Sequence, residues 1–109
     1  MPESTERGAL TEAVFYILLA LHEPRHGYGI MQYVTEVSRE RVNLGPGTLY
    51  GALNTLLEKG WIRALENPAD SRKKEYQITM LGRAMVAEEL NRLQELLETG
   101  RALVRGDVR

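Results

Sequence analysis

Thr48, Tyr50, Gly51 and Asn54 crowd into one short run of this sequence and combine two short hydrogen-bonding side chains, one phenol and one position with no side chain. Asparagine can bond adenine bidentately, threonine can bond a phosphate or touch a thymine methyl, and glycine lets a backbone come close. Such a set suits recognition rather than bond-making. Further along, Arg72, Lys73 and Lys74 put three contiguous positive charges beside a polar turn, where they could meet a phosphate backbone or a minor groove. Groups for catalysis do not assemble. There is no cysteine, no glycine-rich phosphate loop, no serine in a nucleophile elbow and no acid pair of defined spacing. His22 and His26 flank Pro24 with Glu23 nearby, but without a cysteine or a converging carboxylate set they read as turn or packing residues, not as metal ligands. Neither an enzyme, a metal site nor a cofactor is expected.

The recognition set needs a helix to carry it. Pro46 suits a first helical position, since it has no N–H to satisfy and its φ is already helical. Gly45, the cap, offers no side-chain acceptor, so the first N–H groups stay free for an outside anion. Leu49, Leu53, Leu56 and Leu57 form the stripe that must pack, which leaves Thr48, Tyr50, Gly51, Asn54 and Thr55 facing outward. The helix runs to about Lys59, and Gly60 has the chemistry of its stop.

Other elements follow from periodicity. Residues 10–21 are apolar almost all round and read as a buried first helix, ended by Pro24. Residues 27–40 place Ile30, Val34 and Val37 on one face of a second, amphipathic helix. "RVNL" at 41–44 is too short to assign and could be a brief strand. "WIRALEN" and "KKEYQIT" alternate as strands do, with "NPADSR" as the turn between them: a hairpin. From Met80 to about Thr99 a last helix carries Val86, Leu90, Leu93 and Leu97 at heptad steps, and the tail after Gly100 is expected to fray. The fold class is mainly α with a small β-hairpin: a winged helix-turn-helix of three helices and a two-stranded wing, followed by a long C-terminal helix. The expected division is a DNA-binding part over residues 1–79 and a dimerisation helix with tail over 80–109, in one compact domain.

Composition agrees with a small globular domain, with 43% hydrophobic and 27% charged residues in 109. No stretch reaches the ~20 apolar residues needed to span a bilayer, and "AVFYILLAL" follows acidic residues unlike a signal peptide. A cytoplasmic protein without a membrane partner is expected. The net charge of −1 is unevenly spread: residues 25–74 hold eight basic and five acidic side chains, the remainder six and ten. A basic middle between acidic ends favours a polyanion at the third helix and hairpin.

"HGYGI" at 26–30, "PGTLYGALNTLLEKGWI" at 46–62, and "RKKEYQIT" with "LGR" at 72–83 resemble the PadR family of bacterial transcriptional regulators, and the length resembles its short subfamily. The resemblance covers residues 8–83. It implies a homodimer that binds a palindromic DNA operator, usually as a repressor released by a small molecule. It places Thr48 and Tyr50 among the recognition-helix contacts, Arg72, Lys73 and Lys74 on the wing, and Tyr28 on the family's helix-two tyrosine, where packing is expected. Two departures stand out. Met80 and Leu81 begin the last helix where the family usually has an acidic or small residue, and that helix has no aromatic on which a flat drug could stack. Trp61 instead opens a wing strand, as a packing residue.

A second copy would cover the seam of Val86, Leu90, Leu93 and Leu97, since the opposite face is Glu88, Glu89, Arg92, Glu95 and Glu98. A small hydrophobic effector would fit an apolar channel between the first and last helices of that dimer, near Phe15, Leu93 and Leu97. The rival use of this layout is a protein–protein module that docks a protein through the same helix and hairpin without binding DNA. Such a module would not need an anion-ready helix start together with a basic wing.

Overall fold

The computed structural model describes residues 9–66 and 74–106. Among these, the order is α1 (Glu12–Ala20), β1 (Arg25–His26), α2 (Gly27–Val37), α3 (Pro46–Lys59), β2 (Ile62–Leu65), β3 (Glu75–Ile78) and α4 (Met80–Arg105). Helix α1 starts because Thr11 accepts the Val14 N–H at 3.1 Å, and α2 because the His26 side chain accepts the Gly29 N–H at 3.2 Å. The His22 Nδ1 lies 3.1 and 3.2 Å from the carbonyls of Leu18 and Leu19, which can only accept, so it closes the end of α1 as a donor. Both histidines are thus occupied at helix ends.

The expected wing strands β2 and β3 pair antiparallel, and β1 adds a short third strand. The sheet has three antiparallel strands in the order β1-β3-β2, with Arg25 and His26 opposite Tyr76 and Glu75. Ile62 to Leu65 pair with Ile78 to Glu75 on the other side of β3. The 41–44 segment is not a strand; it forms the turn into α3. The turn before it, at 38–40, puts two non-glycine residues, Arg39 (φ 57°) and Glu40 (φ 65°), in the left-handed region, at a cost of about 1–3 kcal/mol each. Local bonds offset it: Glu40 N–H to the Thr35 carbonyl at 2.8 Å, Val42 N–H to the buried Ser38 Oγ at 3.0 Å, and Asn43 Nδ2 to the Glu40 carbonyl at 3.1 Å. The turn is fixed, and with it the angle at which α3 leaves α2.

One core joins all layers. Ile17, Leu18 and Leu21 from α1 meet Ile30 and Val34 of α2, Leu49, Leu53 and Leu56 of α3, and Ile62, Tyr76 and Ile78 of the sheet. The sheet is also tied to α1 by the Ile78 N–H on the Leu21 carbonyl at 2.8 Å. Thr79 then joins sheet to α4, donating to the Gly60 carbonyl at 2.7 Å and capping α4 by accepting the Gly82 N–H at 3.1 Å. Met80 and Leu81, the unusual start of this helix, are exposed, so the joint is made by Thr79 and Gly82 instead.

Helix α4 runs to Arg105, well past the expected fraying point at Gly100, and stops at Gly106 in the left-handed conformation (φ 84°). At 1.5 Å per residue it spans about 39 Å, and it sets the long axis of a molecule of 60 × 28 × 25 Å. Its first turns pack on the body. Glu89, expected on the polar face, is 4% exposed. Its carboxylate takes bidentate bonds from Arg92 at 2.9 and 2.6 Å and faces the Leu10 N–H at 3.5 Å, so it links the segment before α1 to α4.

Two measurements check this assembly. A methyl group at Gly82 would overlap the Trp61 carbonyl oxygen and come within 2.7 Å of Ile78 Cγ1, so Gly82→Ala should destabilise the chain by about 1–3 kcal/mol in urea unfolding. The Arg92 hydrogen bonds hold the Glu89 pKa below the ordinary carboxylate value. A depressed folded pKa contributes stability above the unfolded value of about 4.3 that is lost as pH falls through the folded one. Glu89→Gln should therefore be less stable than wild type at pH 7 and show a flatter acid limb, with the two melting temperatures converging only once the pH has fallen below the depressed folded-state value.

Candidate nucleic-acid interface

Helix α3 has the boundaries its sequence predicts, Pro46 to Lys59, with Gly60 as a left-handed stop (φ 75°). Its start differs from those of α1, α2 and α4, each of which has a side-chain cap. Gly45 gives none, and the first intrahelical bond is the Leu49 N–H to the Gly45 carbonyl at 2.9 Å. With proline at 46, the amides of Gly47 and Thr48 are left without an intrahelical acceptor at the positive end of the helix dipole. An anion placed there would be bonded by both.

At 3.6 residues per turn, Gly47, Thr48, Gly51, Asn54 and Thr55 fall within a sector of about 120°, and all five are exposed. Leu49, Leu53 and Leu56 occupy the opposite side and are buried. Leu57, expected on that stripe, is only partly buried at the edge of the core. Thr55 turns its hydroxyl back to the Gly51 carbonyl at 3.3 Å, while Thr48 and Asn54 make no side-chain hydrogen bond among the described residues. A methyl at Gly51 would meet nothing within 4 Å, so a surface can approach the helix backbone there. Tyr50 sits at the border of the sector next to Leu57. It is half-exposed, yet its hydroxyl end lies against Gly27 of α2.

Around this helix the cations divide into occupied and available ones. Arg25 stacks 4.1 Å from the Tyr33 ring centroid and donates Nε to the Ala20 carbonyl at 2.8 Å. Arg41 pairs with Glu12 at 2.8 Å. Both therefore have partners within the chain, although Arg41 remains largely exposed. On the wing, Lys74 is exposed at the start of β3, and Arg63 lies across the strands on Gln77 at 3.1 Å with an exposed guanidinium. Arg63 was not singled out by sequence; its alternation with buried Ile62 is the signal that would have found it. Arg72 and Lys73 lie outside the described residues. Tyr28, expected to pack, is 62% exposed and accepts a bond from Gln32 Nε2 at 3.2 Å. It falls at i to i+4 of that glutamine on the outer face of α2, where nothing covers it. Trp61 is partly buried against the core, with Lys59 Nζ 5.2 Å from its ring centroid.

The predicted seam on α4 splits in two. Val86 is 5% exposed and belongs to the core of its own chain. Leu90, Leu93 and Leu97 are 51%, 39% and 48% exposed. The heptad steps continue through Gly100 to exposed Val104, and Leu96 and Leu103 widen the stripe. Phe15 is partly buried on α1 beside Tyr16, their ring centroids 6.4 Å apart. No helix among the described residues is long and apolar enough to cross a membrane.

Comparison with known proteins agrees with this architecture. The family model described as transcriptional regulator PadR-like matches residues 16–88. RosR of H. salinarum, 28% identical, superposes with a TM-score of 0.66 over 91% of this chain and 96% of its own. BpsR of Bordetella bronchiseptica, whose DNA binding is regulated by 6-hydroxynicotinic acid, is 23% identical with a TM-score of 0.67, covering 91% of this chain and 67% of its own. At that identity the likeness speaks for the fold alone. An uncharacterized 37.1 kDa protein in a transposon of Streptomyces fradiae is 37% identical over 86 residues, 78% of this chain. The chain spans about a quarter of that protein's length, 24%.

The unpaired amides at the start of α3 make opposite demands on stability and binding, which one substitution separates. Gly45→Asp would supply the missing cap, raising stability by a few tenths of a kcal/mol while placing a carboxylate where an anion would sit. The expected outcome is a slightly higher melting temperature together with an affinity for DNA about tenfold lower, since about 1.4 kcal/mol of lost contact is a factor of ten.

Proposed function

Since the chain belongs to the PadR-like family of transcriptional regulators, we propose that it works as a homodimeric repressor binding a palindromic operator. The family is one of non-enzymatic, DNA-binding regulators. The observation that carries the reading is the build of α3: an uncapped helix start joined to an outward sector of Thr48, Gly51, Asn54 and Thr55. Phosphate meets the amides of Gly47 and Thr48. Thr48 and Asn54 then meet base edges in the major groove, with Tyr50 beside them and Gly51 allowing close approach. Lys74, with Arg72 and Lys73, brings the wing to the adjacent backbone. The exposed heptad of Leu90, Leu93 and Leu97 supports a second copy across α4, because an apolar stripe of that length on a small protein favours burial. Two copies set two recognition helices about 34 Å apart, which calls for a palindrome.

Release by a small hydrophobic molecule completes the proposal. Its site lies in the channel between α1 and α4 of the dimer, near Phe15, Leu93 and Leu97. BpsR, whose DNA binding is regulated by 6-hydroxynicotinic acid, supplies a precedent for a small-molecule effector on this fold.

Binding of the purified chain to the duplex upstream of its own gene, measured at several salt concentrations, tests the reading. Log affinity should fall linearly with log salt at ~0.9 per neutralised phosphate. Lys74→Ala should weaken all duplexes alike and lower that slope by about one unit, whereas Asn54→Ala should erase about 1–3 kcal/mol of sequence preference. Sedimentation should give a dimer at micromolar concentration. A monomer there, or absence of any DNA affinity at low salt, would leave the protein-docking use of the fold in its place.

A further inference from the structure

Tyr50 does not point the way its neighbours do. A methyl group built on Gly27 would overlap the Tyr50 hydroxyl and come within 2.8 Å of Cζ, so the end of the phenol ring rests on the Gly27 backbone. Tyr76, buried on β3 directly opposite Arg25, two residues before Gly27, has its pKa raised by burial first and then by the nearby Tyr50 phenol when that ionises. The ring thus reaches back into the angle between α3, α2 and the sheet.

The backbones on both sides of this contact are held in place. Gly27 is the buried first residue of α2, and the His26 cap on Gly29 holds that turn. Tyr50 follows Leu49, which is fully buried, in the turn that carries the uncapped amides of Gly47 and Thr48. With the ring in this position, a Cβ at 27 would collide with the phenol, which would have to swing outward. We infer that Tyr50 is a positioning residue, not a reader of bases: seated on Gly27, it sets the first turn of α3 against α2 and the sheet, and leaves direct contact to Thr48, Gly51 and Asn54. This deepens the DNA-binding reading and rests on it for its functional consequence.

The test compares Gly27→Ala, Tyr50→Phe, Tyr50→Ala and the double alanine variant of the full chain. Each is measured on the upstream duplex and on a random-sequence duplex of equal length, with thermal unfolding alongside. Tyr50→Phe keeps the ring and should hold the upstream-to-random ratio within about twofold. Gly27→Ala and Tyr50→Ala should each lower that ratio by about tenfold while leaving affinity for the random duplex nearly unchanged. With the ring gone the methyl has space, so the double variant should be no worse than Tyr50→Ala alone. If Tyr50→Phe lost as much as Tyr50→Ala and Gly27→Ala were silent, the hydroxyl would be touching DNA and the inference would be overturned. Losses that simply multiply in the double variant would overturn it too.

A second arm needs no DNA. Burial pushes the Tyr76 phenol pKa up and the Tyr50 phenol adds to the shift, so in tyrosine-labelled protein Tyr50→Phe should bring the Tyr76 titration earlier. An unmoved Tyr76 would contradict the inward ring. Should the wild-type chain prefer neither duplex, the operator reading fails, and the Tyr76 titration with the unfolding data on the four variants still decides how Tyr50 is seated.

Discussion

The burial of Leu49, Leu53 and Leu56 is the constraint on which the rest of this molecule depends. These side chains place α3 in the same core as α1, α2 and the sheet, and their removal from water contributes roughly 1.5–3 kcal/mol each. Because they fill one side of the helix, the other side has no packing role and can carry short polar residues and glycine at little cost to stability. The outward sector of α3 is thus a consequence of where the leucines sit. A helix apolar all round, as α1 nearly is, could not present such a surface.

Close approach of backbone is the second device. Gly82 lets the first turn of α4 settle on the Trp61 carbonyl, and Gly27 lets the Tyr50 ring settle on α2. Both contacts lie where one layer meets another, and both bring a chain segment nearer than any Cβ would allow. Thr79 reinforces the first by bonding Gly60 on one side and Gly82 on the other. Helix α3, the wing and α4 therefore share a single junction of residues 60–62 and 78–82.

Much of this was legible in the sequence wherever one physical signal dominated. Proline at 46, glycine at 60 and leucines between them defined α3 to the residue, and alternation with buried Ile62, Tyr76 and Ile78 defined the wing strands. What was not legible depended on tertiary partners. A two-residue strand such as β1 has no periodicity to show; it exists because β3 offers an open edge beside the end of α1. Gly100 resembles a helix stop, but it stays helical here, and the left-handed stop is made by Gly106 instead. Glu89 looked solvent-facing because charge usually is, yet Arg92 one turn on and the Leu10 amide supply the partners that let it be buried. Tyr50 was read from its place on the helix as an outward group and is half-exposed, but the contact of its hydroxyl end with Gly27, distant in sequence, had no signal in the pattern.

Helix α4 holds the two halves of the proposed function in one rigid element. Its first turns are anchored on the body through Gly82, Val86 and Glu89, and its later turns expose the apolar stripe that a second copy would cover. No proline interrupts the helix between the two, so the spacing of two recognition helices would be set by the geometry of α4 against α1 and the sheet, with no flexible linker to absorb a change. A ligand seated between α1 and α4 would then need to alter only that packing angle. Over the roughly 39 Å of α4, a rotation of about 5° displaces the far end by about 3 Å, comparable to the 3.4 Å rise of one base pair. A small apolar molecule could in this way move paired helices out of register with two half-sites while touching neither of them.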